Sequence, residues 1–288
     1  MYPLFDAFVG SILNTATEVW GFTKSKPIER LHLKFCKRIL NVRSNSSSTA
    51  VYGDLGRYPL YVTRYVRIIK YWCKLVKSDN NLLRKSYEVA LADYNRGKIN
   101  WVFNCKKLLD EYGLSYVFNN SDGIDVKLFP KLFKRRVTDC FKQDWNASIG
   151  RSPILEEYRH FKSGINYESY LDILPYDLRF YFTRIRISAH SLRIQTGRFG
   201  NNYVPRNERF CNCCNTRDIE DVYHFILICP LYDELRKTHI DSAIYRRPSV
   251  YKLNLVMETS KPKTLLNVAQ FIKKAVNIRN NYLNTRNQ

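Results

Sequence analysis

Cys211 and Cys214 stand two residues apart, His224 follows after nine more, and Cys229 after another four. Three thiolates and one imidazole at that spacing are a zinc-type ligand set, and soft sulfur with neutral nitrogen suits tetrahedral Zn2+ better than an oxygen-seeking cation. Four protein ligands would close the shell, so the expected metal is structural, with no open position for a reactive water. Cys213 is an alternative ligand in place of Cys211 or Cys214, but the two-residue gap closes the better chelate. The opposing reading makes these buried free cysteines and a core histidine. Four of the eight cysteines falling between Cys211 and Cys229 argues against it.

The elements that must hold this cluster are legible around it. Cys-Asn-Cys-Cys-Asn is turn-rich, and Asp221 to Leu227 reads as a helix start capped by Asp218 or Asp221. Pro230 should end or kink that helix. The whole metal segment runs over about 206–236. Cys36, Cys73, Cys105 and Cys140 lie in or beside apolar helical stripes, where free thiols pack as small hydrophobes.

Lys and Arg total 47 against 26 acidic residues, a formal charge of +21, alongside 21 tyrosines and 16 phenylalanines. Cations displace counterions from phosphates and rings stack on unpaired bases, so this balance points to nucleic acid as partner. Attraction to an anionic membrane surface and aromatics serving only the core are the competing readings. No apolar run approaches the roughly 20 residues of a membrane span. Asp6 and Glu18, with no basic start, argue against a signal peptide. Ahead of the cysteines, Arg179, Arg184, Arg186, Arg193, Arg198, Arg206 and Arg209 accumulate with Glu208 as the only acid among them. Arginine suits bidentate phosphate contacts.

Hydrophobic spacing predicts a mainly α fold, an irregular helical assembly with a small CCHC zinc-binding segment near the C-terminus. Leu4 to Leu13 carries an apolar stripe, Pro27 opens a helix containing a core His32, and Gly53 to Pro59 reads as a turn. The cleanest helix places Val62, Tyr65, Val66, Ile69, Trp72, Cys73 and Val76 on one face. Arg64, Arg67, Lys70, Lys74 and Lys77 line the remainder without an acid, as either a phosphate face or a solvated one. Further helices are expected from Trp101 to Tyr112, capped by Gly113, and from Leu128 to Trp145. The last stripe, Leu265 to Val276, is expected to stop because Arg279 is the next residue on it.

No Asp-Asp dipeptide, phosphate-binding loop or Gly-x-Ser-x-Gly elbow occurs. Cys140 with His160 or His190 would make a nucleophile and base without a nameable orienting partner. An independent enzyme is not expected.

Four stretches together resemble the C-terminal region of LINE-type (non-LTR) retrotransposon reverse transcriptases: EVWGFTKSKPIERLHLKFCKRILNV, VYGDLGRYPLYVTRYVRIIKYW, TRIRISAHSLRIQTGRFGNNYVPRNERFCNCC and EDVYHFILICPLYDELR. Cys211, Cys214, His224 and Cys229 match that family's zinc ligands, and the Arg-x-Arg with a following histidine, Arg184, Arg186 and His190, matches as well. The resemblance implies the end of a polymerase thumb over 1–55, a helical basic linker over 56–150, and a helical region with the zinc segment over 151–288. The family's Tyr-x-Asp-Asp-like metal motif would lie upstream and is not in the chain. By that resemblance the chain would be a nucleic-acid-binding piece that grips template RNA and target DNA during target-primed reverse transcription. Arg184, Arg186, His190, Arg193, Arg198, Arg206 and Arg209 would make the contacts, in an intracellular, nuclear setting, with no membrane and no small-molecule substrate. A protein-interaction or purely structural module is the alternative.

Overall fold

The computed structural model describes residues 4–200 and 203–286, and among them the chain is mainly helical, without a strand. Helices of seven residues or more are α1 (Lys26–Ile39), α2 (Ser48–Asp54), α3 (Leu60–Val76), α4 (Asn81–Asn95), α5 (Trp101–Glu111), α6 (Phe129–Arg151), α7 (Tyr176–Arg186), α8 (Asp233–His239), α9 (Val250–Glu258) and α10 (Pro262–Arg286). Two compact units result, and each is built from two separate stretches. The first is Met1–Phe35 with Tyr58–Asp144, and the second is Cys36–Arg57 with Trp145–Gln288.

The first unit is organised on α3. Its apolar stripe buries Val62, Tyr65, Val66, Ile69, Trp72 and Cys73 against Cys105 and Leu109 of α5 and Phe133 and Val137 of α6. Gly113 ends α5 in a left-handed conformation (φ +70°), and Leu114 N–H donates back to the Leu109 carbonyl at 2.8 Å, satisfying a terminal acceptor. His32 is fully buried, its ring 5.8 Å from that of Phe5.

Arg64 departs from the expected basic face. It is fully buried and donates to Glu29 at 2.8 Å, while both Glu29 oxygens also cap the start of α3 through Leu60 and Tyr61 N–H. A carboxylate at a helix N-terminus meets unpaired backbone donors and the positive end of the dipole, so one residue serves three needs. Arg67 likewise turns to the Asn14 carbonyl, at 2.7 Å.

The second unit packs α7 and α8 on α10. Gly53, expected in a turn, lies inside α2, in a sequence capped by Ser47 Oγ on Ala50 N–H. A Cβ there would sit 2.4 Å from Tyr158 Oη and 2.8 Å from the Trp145 ring. The glycine is needed for that close approach. α10 continues to Arg286, past Arg279, where its apolar stripe was expected to stop. Arg279 stays on the buried face because it meets a buried carboxylate, Glu220.

Candidate metal centre

Backbone pairing shapes the metal segment before any side chain enters it. Phe210 and Ile219 form an isolated antiparallel bridge, with Cys211 N–H on the Asp218 carbonyl at 2.8 Å and Glu220 N–H on the Arg209 carbonyl at 2.9 Å. The turn between them holds Arg217 at φ +59°. Cys211 and Cys214 therefore lie on one short hairpin-like loop. Asp221 caps the next turn of chain, where its Oδ1 accepts from His224 N–H at 2.7 Å.

His224–Ile228 is a π-helical turn, with Cys229 N–H donating to the His224 carbonyl at 2.8 Å. The wide turn ends where Pro230 could not continue it. It carries the imidazole and Cys229 toward the loop cysteines. Arg236 of α8 fixes the far end, donating to the Ile226 carbonyl at 2.8 Å and the Cys229 carbonyl at 2.9 Å.

The ligand atoms of Cys211, Cys214, His224 and Cys229 all lie within 4.8 Å of one another. Tetrahedral bonds of about 2.3 Å to sulfur and 2.0 Å to nitrogen put neighbouring ligand atoms roughly 3.5–3.8 Å apart, so the cluster is of metal-binding size. Cys214 Sγ and His224 Nε2 are 3.4 Å apart. Nδ1 of the same ring faces the Asp218 carboxylate at 3.5 Å, leaving Nε2 for the cluster. A carboxylate behind a ligating histidine favours that ring orientation. Cys213 N–H points at Cys211 Sγ, 3.4 Å away, as expected for an amide stabilising a thiolate. Hydrogen bonds from the Cys213 and Cys229 thiols hold the Cys211 thiol low, and both donor thiols are pushed up by Cys211 and by burial.

Cys211, Cys213 and Glu220 form a second grouping of the same kind. Glu220, however, is already engaged. It accepts from Arg279 Nε at 2.6 Å and Nη2 at 2.8 Å, and from Arg193 N–H at 2.8 Å. A carboxylate so saturated has little left to give a cation, which favours the set containing His224.

The seven predicted contact residues do not form one open face. Arg186 is buried, paired with Asp54 at 3.1 Å and Glu168 at 2.9 Å, and donates to the Met257 carbonyl. Arg209 is buried too, donating to the Val204 and Ile194 carbonyls at 2.9 and 3.0 Å. A phosphate cannot reach either guanidinium, so both arginines position the backbone instead. His190 is pushed down to about 3 by burial and by nearby Arg279 and Arg198, and is neutral near pH 7. It accepts from Leu192 N–H at 3.3 Å.

Arg193, Arg198 and Arg206 remain around the metal segment. Arg193 reaches Asn212 Oδ1 at 2.6 Å, Arg198 reaches Gln195 and the Pro153 carbonyl, and exposed Arg206 pairs with Glu156 at 2.9 Å. Arg184 lies half-buried with its guanidinium 3.9 Å over the Phe180 ring. Sequence reasoning missed Glu220, Arg279 and Arg236, which hold the segment from outside its ligands. Arg279 was the one visible signal, a charge on an apolar stripe.

Among the described residues no helix is long and apolar enough to cross a membrane. No family model, curated protein or solved structure matches the chain.

Proposed function

We propose that the chain is a nucleic-acid-binding, zinc-stabilised region related to the C-terminal part of a non-LTR retrotransposon reverse transcriptase, without polymerase chemistry of its own. The observation that carries this reading is the convergence of three sulfurs and one imidazole nitrogen within 4.8 Å, in a chain of formal charge +21. Zinc is the metal this donor set favours, since thiolate and imidazole suit a borderline-soft ion that accepts tetrahedral geometry. With four protein ligands its part is structural: it ties Cys211 and Cys214 to the turn carrying His224 and Cys229. The hairpin-like loop bearing Arg217, to which Arg193 is joined through Asn212, is held with it. Phosphodiester backbones of RNA or DNA are the partner that such a charge excess suits, in an intracellular, nuclear setting.

The test is equilibrium binding of the purified chain to mixed-sequence RNA and DNA across a salt series, with metal content measured on the same sample. Expected are one zinc per chain and an affinity falling linearly on logarithmic axes as salt rises. A flat series, or material free of metal, would overturn the reading. Leu4, Phe8 and Ile12, all strongly exposed along one short helical stretch, favour a second reading as a protein-interaction module. Nucleic-acid affinity unaffected by charge reversal at Arg184 and Arg193, with a protein partner lost, would select that one.

A further inference from the structure

The arginines beside the cysteines are largely engaged, but a groove in the first unit is not. Its walls are α3 and the start of α6 with the turn before it, and its volume is about 890 Å³. Lys70, Lys74 and Lys77 stand on one wall, and Lys127, Lys131 and Lys134 on the other. All six are exposed. Among the described residues, Lys70, Lys74, Lys131 and Lys134 make no ion pair and Asp79 is the only acid in the lining. Val66, Val126 and Pro130 add an apolar part to the lining.

We propose that this groove is a second, sequence-independent nucleic-acid site that grips phosphodiester backbone through its two lysine rows. The inference rests on the reading that the chain binds nucleic acid, and assigns the contact to residues outside the metal segment. Spacing is the first argument. Lys70 to Lys77 spans roughly 10 Å along α3 at 1.5 Å per residue, and a duplex strand places a phosphate about every 3.4 Å along its axis, so this row faces about three phosphates. Chemistry is the second. Lysines are compact point charges, and the lining has neither arginine for bidentate base recognition nor an aromatic ring for stacking. Such a surface positions a backbone without reading bases.

Two other polyanions fit less well. The walls are mostly helix joined to short turns, with no strand edge, so an extended acidic peptide finds no sheet to extend. A lipid surface is flat, whereas these lysines border a recess.

The experiment uses the full chain with a fluorescent mixed-sequence DNA duplex and a single-stranded RNA of equal length. Wild type is compared with Lys70→Gln/Lys74→Gln, with Lys131→Gln/Lys134→Gln, and with the fourfold variant, all verified as folded by circular dichroism. Because the lysines are exposed, unchanged melting is expected. The fourfold variant should lose about 3.6 from the slope of log affinity against log salt on the duplex and about 2.8 on the single strand, with each wall giving about half, as removal of four phosphate contacts requires. Wild-type binding with an unchanged slope in the fourfold variant overturns the groove while leaving the broader reading intact. Failure of the wild type to bind overturns both. Lysine-dependent binding of an acidic peptide or of anionic vesicles, with nucleic acid ignored, also overturns the groove.

Discussion

Arg279, near the end of the last helix, donates two hydrogen bonds to the buried carboxylate of Glu220, at 2.6 and 2.8 Å. Glu220 lies between the loop cysteines and His224, and also accepts from Arg193 N–H. One bidentate pair therefore fastens the metal segment to α10. Removing one partner strands a buried charge, at a cost of about 3–5 kcal/mol. Arg279→Met and Glu220→Gln should each lower stability by that order in urea unfolding. A loss below about 1 kcal/mol in both would show the pair to be incidental.

Metal removal should act through the same segment. If the cluster holds a structural metal as proposed, Cys229→Ser is expected to lose that metal and to melt at lower temperature, since metal-binding free energy is then folding free energy. Cys213→Ser, which spares the four converging ligands, should keep one metal per chain. Metal lost from the Cys213 variant and kept by the Cys229 variant would move the site to the grouping with Glu220.

Glu157 gives a pH dependence of defined sign. Burial, reinforced by Asp221, raises its carboxyl from 4.5 to about 8, although Val222 N–H donates to it at 2.7 Å. The folded state thus holds the proton that the unfolded chain releases. The resulting stability is complete below about pH 4.5 and is lost as pH rises toward about 8, on the order of a few kcal/mol. Glu157→Gln should flatten urea midpoints across that window. An equally steep profile in the variant would assign the dependence to another group.

Asp54 gathers Tyr158 Oη at 2.8 Å, Tyr170 Oη at 2.9 Å and the Arg186 guanidinium, with no exposure to solvent. Asp54→Asn and Arg186→Met are therefore expected to destabilise by about 3 kcal/mol or more. Nucleic-acid affinity of whatever fraction stays folded should be unchanged. Weakened binding at full stability in the Arg186 variant would restore that arginine as a contact.

Gly53→Ala should destabilise by about 1–3 kcal/mol, because the new methyl meets the Tyr158 hydroxyl and the Trp145 ring inside a packed core. Gly97→Ala makes the control for glycine loss without crowding: its φ of +85° is strained for alanine, yet nothing lies within 4 Å. A Gly53 variant less perturbed than the Gly97 variant would contradict the packing argument.

Much of this was open to the sequence alone, because it depends on local spacing. The α3 stripe from Val62 to Val76, the Gly113 cap and the cysteine and histidine intervals are periodicities and short loops, written within one or two turns of chain. They determined a helical protein with a soft-ligand cluster. The fate of each charge was decided only by tertiary packing. Arg64, Arg186, Arg209 and Arg279 carry the same side chain as exposed Arg217, yet each found a carboxylate or carbonyl at least 15 residues away along the chain and went inside. Whether a guanidinium faces water or the interior turns on a partner that folding delivers, because burial without one leaves a charge desolvated and unpaired. Lys70 and Lys131 found none and stayed outside, and the groove between their helices exists only once α3 and α6 have packed.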